Sequence, residues 1–181
     1  LYGSRVSILH ENIDLADLPR YIASLVVVEN PAAAGLDATA RRMEEMCELL
    51  RPYSGVAWIA ANKEQQPGIC SGLANADLPG LRVDTAKGAV VIHRSGPVLG
   101  AADWTHQYGD VANTVCSKDQ LKPPLGVLWF GEESGFGDVL PRHGHGPPEQ
   151  IVGGRLFIHG IDSLSARDVY TGRVLWKKPL T

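Results

Sequence analysis

Hydrophobic residues in the first half of the chain alternate between short continuous runs and a helical spacing. Runs of strand length lie at residues 5–9, Leu25–Val28 and Gly55–Ala60. The unbroken aliphatic run Leu25–Val28 is typical of a parallel strand covered on both faces. Between the last two runs, at residues 38–50, apolar residues recur at steps of three and four, which predicts a helix with one buried face. These positions are Ala40, Met43, Cys47 and Leu50.

The pattern changes after the strand predicted at Gly55–Ala60. Residues 62–75 predict a weak helix, because Pro67 and Gly68 interrupt its spacing. Two further strands, at residues 81–84 and Ala89–Arg94, surround the turn sequence Lys87-Gly88 and predict a hairpin. Strand, helix, strand and a closing hairpin together predict an α/β sheet for residues 1–94.

The second half has no helical spacing. Residues 95–103 are rich in Gly, Pro and Ala and predict a linker, and the following twenty residues are rich in turn formers. Short apolar runs with Gly-containing turns between them then predict antiparallel β structure for residues 104–181. The predicted strands are 125–130, Gln150–Val152, Arg155–His159, Ser163–Asp168 and 173–177.

Composition narrows the class of protein. The chain has 181 residues, of which 44% are hydrophobic and 20% charged, and this balance is typical of a globular protein and not of a disordered one. The net charge of −3 disfavours a polyanion-binding surface, so we expect no nucleic-acid partner. No apolar run reaches the roughly 18 residues of a membrane span. The three widely spaced cysteines exclude a complete disulfide framework and a CxxC metal site.

The last predicted strands contain the sequence ARDVYTGRVLW. In it, Asp168 can accept hydrogen bonds from a turn backbone, and Gly172 permits a positive φ. Trp176 offers a wide apolar plane to a neighbouring sheet. The sequence resembles the tryptophan-docking repeat of β-propellers related to pyrroloquinoline quinone (PQQ) dehydrogenases. The residues that carry this resemblance are Ala166, Asp168, Thr171, Gly172 and Trp176.

The segment upstream of these strands resembles the opening of such propellers, at Trp104, Gly109, Asp110, Asn113 and Thr114. The predicted strand 125–130, with Trp129, resembles the outer strand that closes the ring against the last blade. The resemblance implies that residues 104–181 form a partial β-propeller of about one blade plus this ring-closing strand. Because propellers need about four to eight blades, we expect this chain to be an internal fragment of a longer one. We interpret the motif as fastening blades together, and a quinone site is the alternative.

Residues 1–94 resemble the later part of a class I S-adenosylmethionine (SAM) methyltransferase, a partial doubly wound α/β sheet. The resemblance implies two SAM-binding candidates, Asn12 in the loop that usually carries an acid for adenine, and Glu29 at a strand end. We interpret Glu29 itself as a solvated strand-end residue. Since Asn12 replaces the acid and the usual glycine-rich loop is missing, we expect an inactive or ancillary module. The matching positions are Leu18, Pro19, Leu49, Leu50, Arg51, Pro52 and Gly55.

His143 and His145, two residues apart in the sequence RHGHG, are candidate metal ligands. No third ligand of suitable type lies near them in sequence, so we interpret both as structural loop residues. We predict no metal site and no catalytic residue in this chain.

These observations favour one function over two alternatives. We expect part of a bacterial PQQ-like propeller that acts as a binding or assembly scaffold, with an ancillary or inactive methyltransferase-like module. The alternatives are a SAM-dependent methyltransferase and a quinoprotein oxidoreductase. We expect no cofactor in this chain, and SAM or PQQ only in a full-length parent. The expected partners are the remainder of the chain, meaning further blades and the missing part of the α/β sheet, and a protein on the propeller. The resemblance implies a periplasmic or extracytoplasmic parent.

Overall fold

The computed structural model describes residues 5, 6, 8, 18–36, 40–76, 78–130 and 146–180. The chain divides into two compact units, Leu1–Arg94 and Ser95–Thr181. The first unit is a mixed sheet with helices, and the second contains a separate antiparallel sheet. Within the described residues, neither helix is long and apolar enough to cross a membrane.

The first unit is a four-stranded sheet with strand order β1-β2-β4-β3. β1 and β2 run parallel, β4 is antiparallel to β2, and β3 completes the hairpin at the outer edge. The predicted strand–helix–strand unit and hairpin are therefore confirmed. The elements are β1 (Leu25–Val28), α1 (Ala40–Leu49), β2 (Gly55–Ala60), α2 (Gln66–Ala74), β3 (Leu81–Ala86) and β4 (Ala89–Arg94).

The predicted strand at residues 5–9 is not formed by the residues of it that the structure describes. Of these three, 5, 6 and 8, only Val6 forms a β-bridge, and Val6 and Ile8 are exposed. A short apolar run becomes a strand only where a neighbouring edge takes up its backbone hydrogen bonds.

Both helices pack against the same face of the first sheet. Alternate strand residues, such as Val26, Ala57 and Ile92, join apolar residues of α1 and α2 in one core cluster. On the opposite face, Leu25 is 62% and Val27 53% exposed. The expectation that β1 is covered on both faces is therefore wrong for the described structure. A continuous aliphatic run does not reveal on which side the helices lie.

A buried arginine joins β4 to the end of α1. Arg94 is 5% exposed, and its Nη1 donates hydrogen bonds to the carbonyl oxygens of Cys47 (2.9 Å) and Leu50 (3.1 Å). These carbonyls lie at a helix end, where backbone acceptors lack helical partners. The guanidinium also lies 5.2 Å from the centre of the Tyr21 ring, within the range of a cation–π contact.

The thiol of Cys47 lies in the core beside this arginine. Burial raises the pKa of the Cys47 thiol to about 12, although the positive charge of Arg94 acts in the opposite direction. The thiol is therefore protonated at neutral pH, and Cys47 is a core residue without nucleophilic character.

The turn between α1 and β2 requires a glycine at position 55. A Cβ at Gly55 would lie 2.6 Å from the carbonyl oxygen of Arg51 and 2.9 Å from the Cβ of Leu50. No side chain fits such an approach between backbones, so this glycine allows β2 to begin directly beneath the helix end.

The second unit contains four consecutive antiparallel strands in the order β5-β6-β7-β8. The predictions for β5, β6 and β7 are confirmed at their bounds, and the last strand is shifted slightly toward the C-terminus. A β-bulge lies between Ala166 and Arg167, where β7 pairs with β8. The strands are β5 (Gln150–Val152), β6 (Arg155–His159), β7 (Ser163–Asp168) and β8 (Val174–Pro179).

The strand predicted at residues 125–130 is wrong. The structure describes all six residues, and none of them belongs to a strand. Leu125, Val127 and Phe130 are exposed. The apolar pattern is suited to a strand, but the described segment has no backbone ladder with the sheet, which it contacts through the Trp129 side chain described below.

We expect Arg94→Met to lower the free energy of unfolding of the first unit by about 2–4 kcal/mol, because two buried carbonyls lose a charged donor. Arg82→Met is the matched control on β3, since the side chain of Arg82 is 67% exposed and forms a surface ion pair with Asp84. Its expected effect is below about 1 kcal/mol. Urea unfolding followed by circular dichroism measures both, and equal losses would contradict the role of Arg94.

Candidate functional site

The turn between β7 and β8 is organised by one carboxylate. Oδ1 of Asp168 accepts hydrogen bonds from the backbone N–H of Tyr170 (3.0 Å) and of Thr171 (2.9 Å), and from the Thr171 hydroxyl (3.0 Å). The backbone N–H of Gly172 also donates to the Asp168 carbonyl oxygen at 2.9 Å. Asp168 is 6% exposed. A buried carboxylate with three donors at one oxygen holds the backbone of the turn in place.

The indole of Trp129 packs on this turn. Its Nε1–H donates a hydrogen bond to the carbonyl oxygen of Val169 at 2.8 Å. Its ring covers Gly172 so closely that a Cβ at that position would lie 2.2 Å from the Trp129 Cε3 atom. Gly172 also has a φ of 70°. Two independent constraints, the left-handed backbone and the indole contact, therefore exclude a larger residue.

A second tryptophan lies on the same sheet with one side exposed. Trp176 in β8 pairs in register with Ala166 of β7, which in turn pairs with Phe157 of β6. The Phe157 and Trp176 rings are 6.2 Å apart between centroids. Ala166 is completely buried, whereas Trp176 is 37% exposed. β8 is the outermost strand of its sheet, so Trp176 presents part of its ring at a sheet edge.

The opening segment of the second unit joins the sheet through Trp104. The Trp104 and Ile151 backbones exchange two hydrogen bonds, of 2.9 and 2.8 Å. Gly109 has a φ of 94°, and a Cβ there would lie 3.6 Å from the Trp104 ring. This pairing adds a bridge at the β5 edge of the sheet.

A surface turn follows, built on Asp110. Its Oδ1 accepts the N–H groups of Ala112 (3.0 Å) and Thr114 (3.3 Å), and its Oδ2 lies 2.9 Å from Lys118 Nζ. The Lys118 ammonium, together with these N–H donors, lowers the pKa of the Asp110 carboxyl. Asn113 in this turn has a φ of 53°, a conformation that asparagine tolerates. Asp110 thus has a structural role similar to that of Asp168.

Of the two SAM-binding candidates in the first unit, the structure describes only Glu29. Asn12 lies outside the described residues. Glu29 follows β1 directly and is exposed. The neighbouring Asn30 begins a turn in which its Oδ1 accepts the N–H of Ala33 at 3.0 Å.

A cavity of about 630 Å³ lies close to these residues, at the carboxyl ends of β1 and β2. Open α/β sheets bind ligands at this edge. No periodic pattern predicts this cavity, because its two walls come from the turn after β1 and the beginning of α2. Besides two glycines, the lining consists of Pro31, Ala32, Leu36, Glu64, Gln65 and Ile69.

The described residues do not fit SAM. Glu29, the described SAM-binding candidate, is exposed and is not among the residues that line the cavity. The only carboxylate in the described lining is that of Glu64, which lies beside apolar walls and not in a glycine-rich loop.

The described residues also do not form a quinone site or a metal site. A quinone at a propeller centre requires several blades, and one four-stranded sheet does not surround such a centre. Across the described ranges, no group of three or more His, Cys, Asp or Glu residues could hold a metal ion. His143 and His145 lie outside those ranges.

Comparison of the sequence with known protein families finds no family model that matches, and comparison with curated proteins finds no match either.

We expect Gly172→Ala to displace the Trp129 indole and to destabilise the second unit by about 2–3 kcal/mol, because the added Cβ clashes with the ring and strains the backbone. The fluorine resonance of Trp129 in a 5-fluorotryptophan-labelled chain should then move toward its position in the unfolded chain. Gly126→Ala is the matched control, since no atom lies within 4 Å of a Cβ there. An unchanged Trp129 resonance in Gly172→Ala would contradict the contact.

Proposed function

We propose that this chain belongs to a PQQ-like β-propeller repeat protein that acts as a binding or assembly scaffold, and that its first unit is an ancillary methyltransferase-like module. The observation that carries the proposal is the packing of Trp129 on the turn between β7 and β8, which we call the tryptophan-packing site. There the indole N–H bonds to the Val169 carbonyl and the ring covers Gly172.

In a propeller, a tryptophan from one blade would pack at such a site on the neighbouring blade. The site requires a carbonyl acceptor, a glycine beneath the ring and a rigid turn. These features are supplied by Val169, Gly172 and Asp168, respectively. Trp176 is the corresponding tryptophan of the β5–β8 sheet, and it is partly exposed on the outermost strand. We therefore assign Trp176 to a similar tryptophan-packing site on a following repeat.

We assign the motif residues a structural role because of the contacts that they already make within the fold. Oδ1 of Asp168 already accepts three hydrogen bonds, and the Gly172 surface is covered by an indole. Both residues are therefore engaged in holding the turn and the indole together. This supports a scaffold role for the repeat, in which the turn is used to join sheets.

For the first unit, the topology supports the methyltransferase-like assignment and the side chains support its ancillary role. A parallel pair, β1 and β2, is closed by a hairpin, as expected for the last strands of such a sheet. Two observations argue against catalysis: Asn12 stands where the adenine-binding loop usually carries an acid, and Glu29 is exposed. The alternative function, a SAM-dependent methyltransferase, is favoured by one observation, the cavity at the carboxyl ends of β1 and β2.

The propeller assignment predicts that Trp176 contributes more to stability in a longer protein that contains the following repeat than in the 181-residue chain. In protein expressed from the complete reading frame, Trp176→Ala should lower the free energy of unfolding by about 3–5 kcal/mol, as expected for a fully packed tryptophan. In the 181-residue chain, where Trp176 is 37% exposed, the loss should be about half as large. Trp129→Ala is the control, because the site on which Trp129 packs is present in both proteins. Equal effects of Trp176→Ala in the two proteins would contradict the assignment.

The ancillary role of the first unit predicts that protein from the complete reading frame binds no SAM at micromolar concentration. Isothermal titration calorimetry with SAM measures this directly, and the propeller part is independent of its outcome. Saturable binding at micromolar Kd would overturn the ancillary role and favour the methyltransferase alternative.

A further inference from the structure

The cavity of the first unit has an apolar wall that is backed by the core. Leu36 and Ile69, which line it, are both buried members of the core cluster. Pro31 and Ala32 extend this apolar surface along the turn after β1. A wall fixed by core packing is formed before any ligand arrives, which favours binding of a short alkyl group.

The polar side of the cavity carries negative charge and few free donors. Glu64, which is exposed, is the acidic residue of the described lining, and no described basic residue is part of it. The backbone N–H groups of Glu64 and Gln65 donate to Oδ1 of Asn62, at 3.1 and 2.9 Å. In return, Oε1 of Gln65 accepts the Asn62 N–H at 3.0 Å, which completes a capping box.

The turn that leads into α2 has two of its amide donors already occupied. Amides at a helix N-terminus usually attract anions, but here Asn62 already occupies those of Glu64 and Gln65. The next position but one is Pro67, which has no N–H. The charge that remains at the cavity is the Glu64 carboxylate, which attracts a cation.

We propose that this cavity binds a small alkylammonium compound, with the alkyl chain against Leu36 and Ile69 and the ammonium group at the Glu64 carboxylate. This inference is independent of the propeller assignment. It concerns a site that the sequence analysis did not identify.

Titration of the 181-residue chain with n-butylammonium chloride, followed by ¹³C-methyl NMR, tests the proposal. We expect saturable shifts at the methyl groups of Leu36 and Ile69. n-Butanol and sodium pentanoate have the same butyl chain without the positive charge, and both should bind at least about twofold more weakly, as for one partly exposed ion pair. Equal affinity for the three compounds, or shifts confined to other methyl groups, would overturn the proposal.

Two variants locate the site. Glu64→Gln should weaken n-butylammonium binding by roughly two- to fivefold and leave n-butanol binding unchanged. Glu149→Gln, which removes an exposed carboxylate from the second unit, is the matched control and should change neither affinity. Ala32→Leu should reduce the binding of both compounds by filling the cavity. If Glu64→Gln and Glu149→Gln behave alike, the carboxylate has no role and the proposal fails.

Discussion

The backbone groups left over at the ends of helices and strands must find hydrogen-bond partners, and the key side chains of this protein meet that constraint. Arg94 bonds the last carbonyls of α1, and Asn62 bonds the amides before α2. Asp168 bonds the amides of the β7–β8 turn, and Trp129 bonds the carbonyl of Val169. Each of these side chains fixes the end of one element against another part of its own unit.

The same constraint separates structural from potentially functional residues. Asp168 and Asn62 resemble ligand-binding residues by type, but their oxygens are already engaged by the backbone. Glu64 differs, because it lines a largely apolar cavity, and the backbone amides of Glu64 and Gln65 already bond to Asn62. We therefore expect a polar side chain to bind a ligand where the neighbouring backbone groups already have other hydrogen-bond partners.

Two of the corrections to the sequence predictions concern apolar segments that no other part of the described structure covers. Leu25 and Val27 of β1 face away from both helices, and residues 125–130 lie outside any strand. In each case the apolar pattern was interpreted as a sign of burial. Hydrophobicity measures the free energy that burial would yield, but a partner surface must be present before a residue is buried.

The sequence by itself determined α1, β2, the hairpin and three strands of the second sheet, because periods of 3.6 and 2 and glycine turns are local properties of the chain. It also identified Gly172 as a turn residue. Only the tertiary structure decided that Arg94 bonds Cys47, 47 residues away, and that Trp129 bonds Val169, 40 residues away. It also decided that the turn after β1 and the beginning of α2 enclose a cavity. Such contacts depend on how distant segments pack, and no local pattern of residue types encodes that packing.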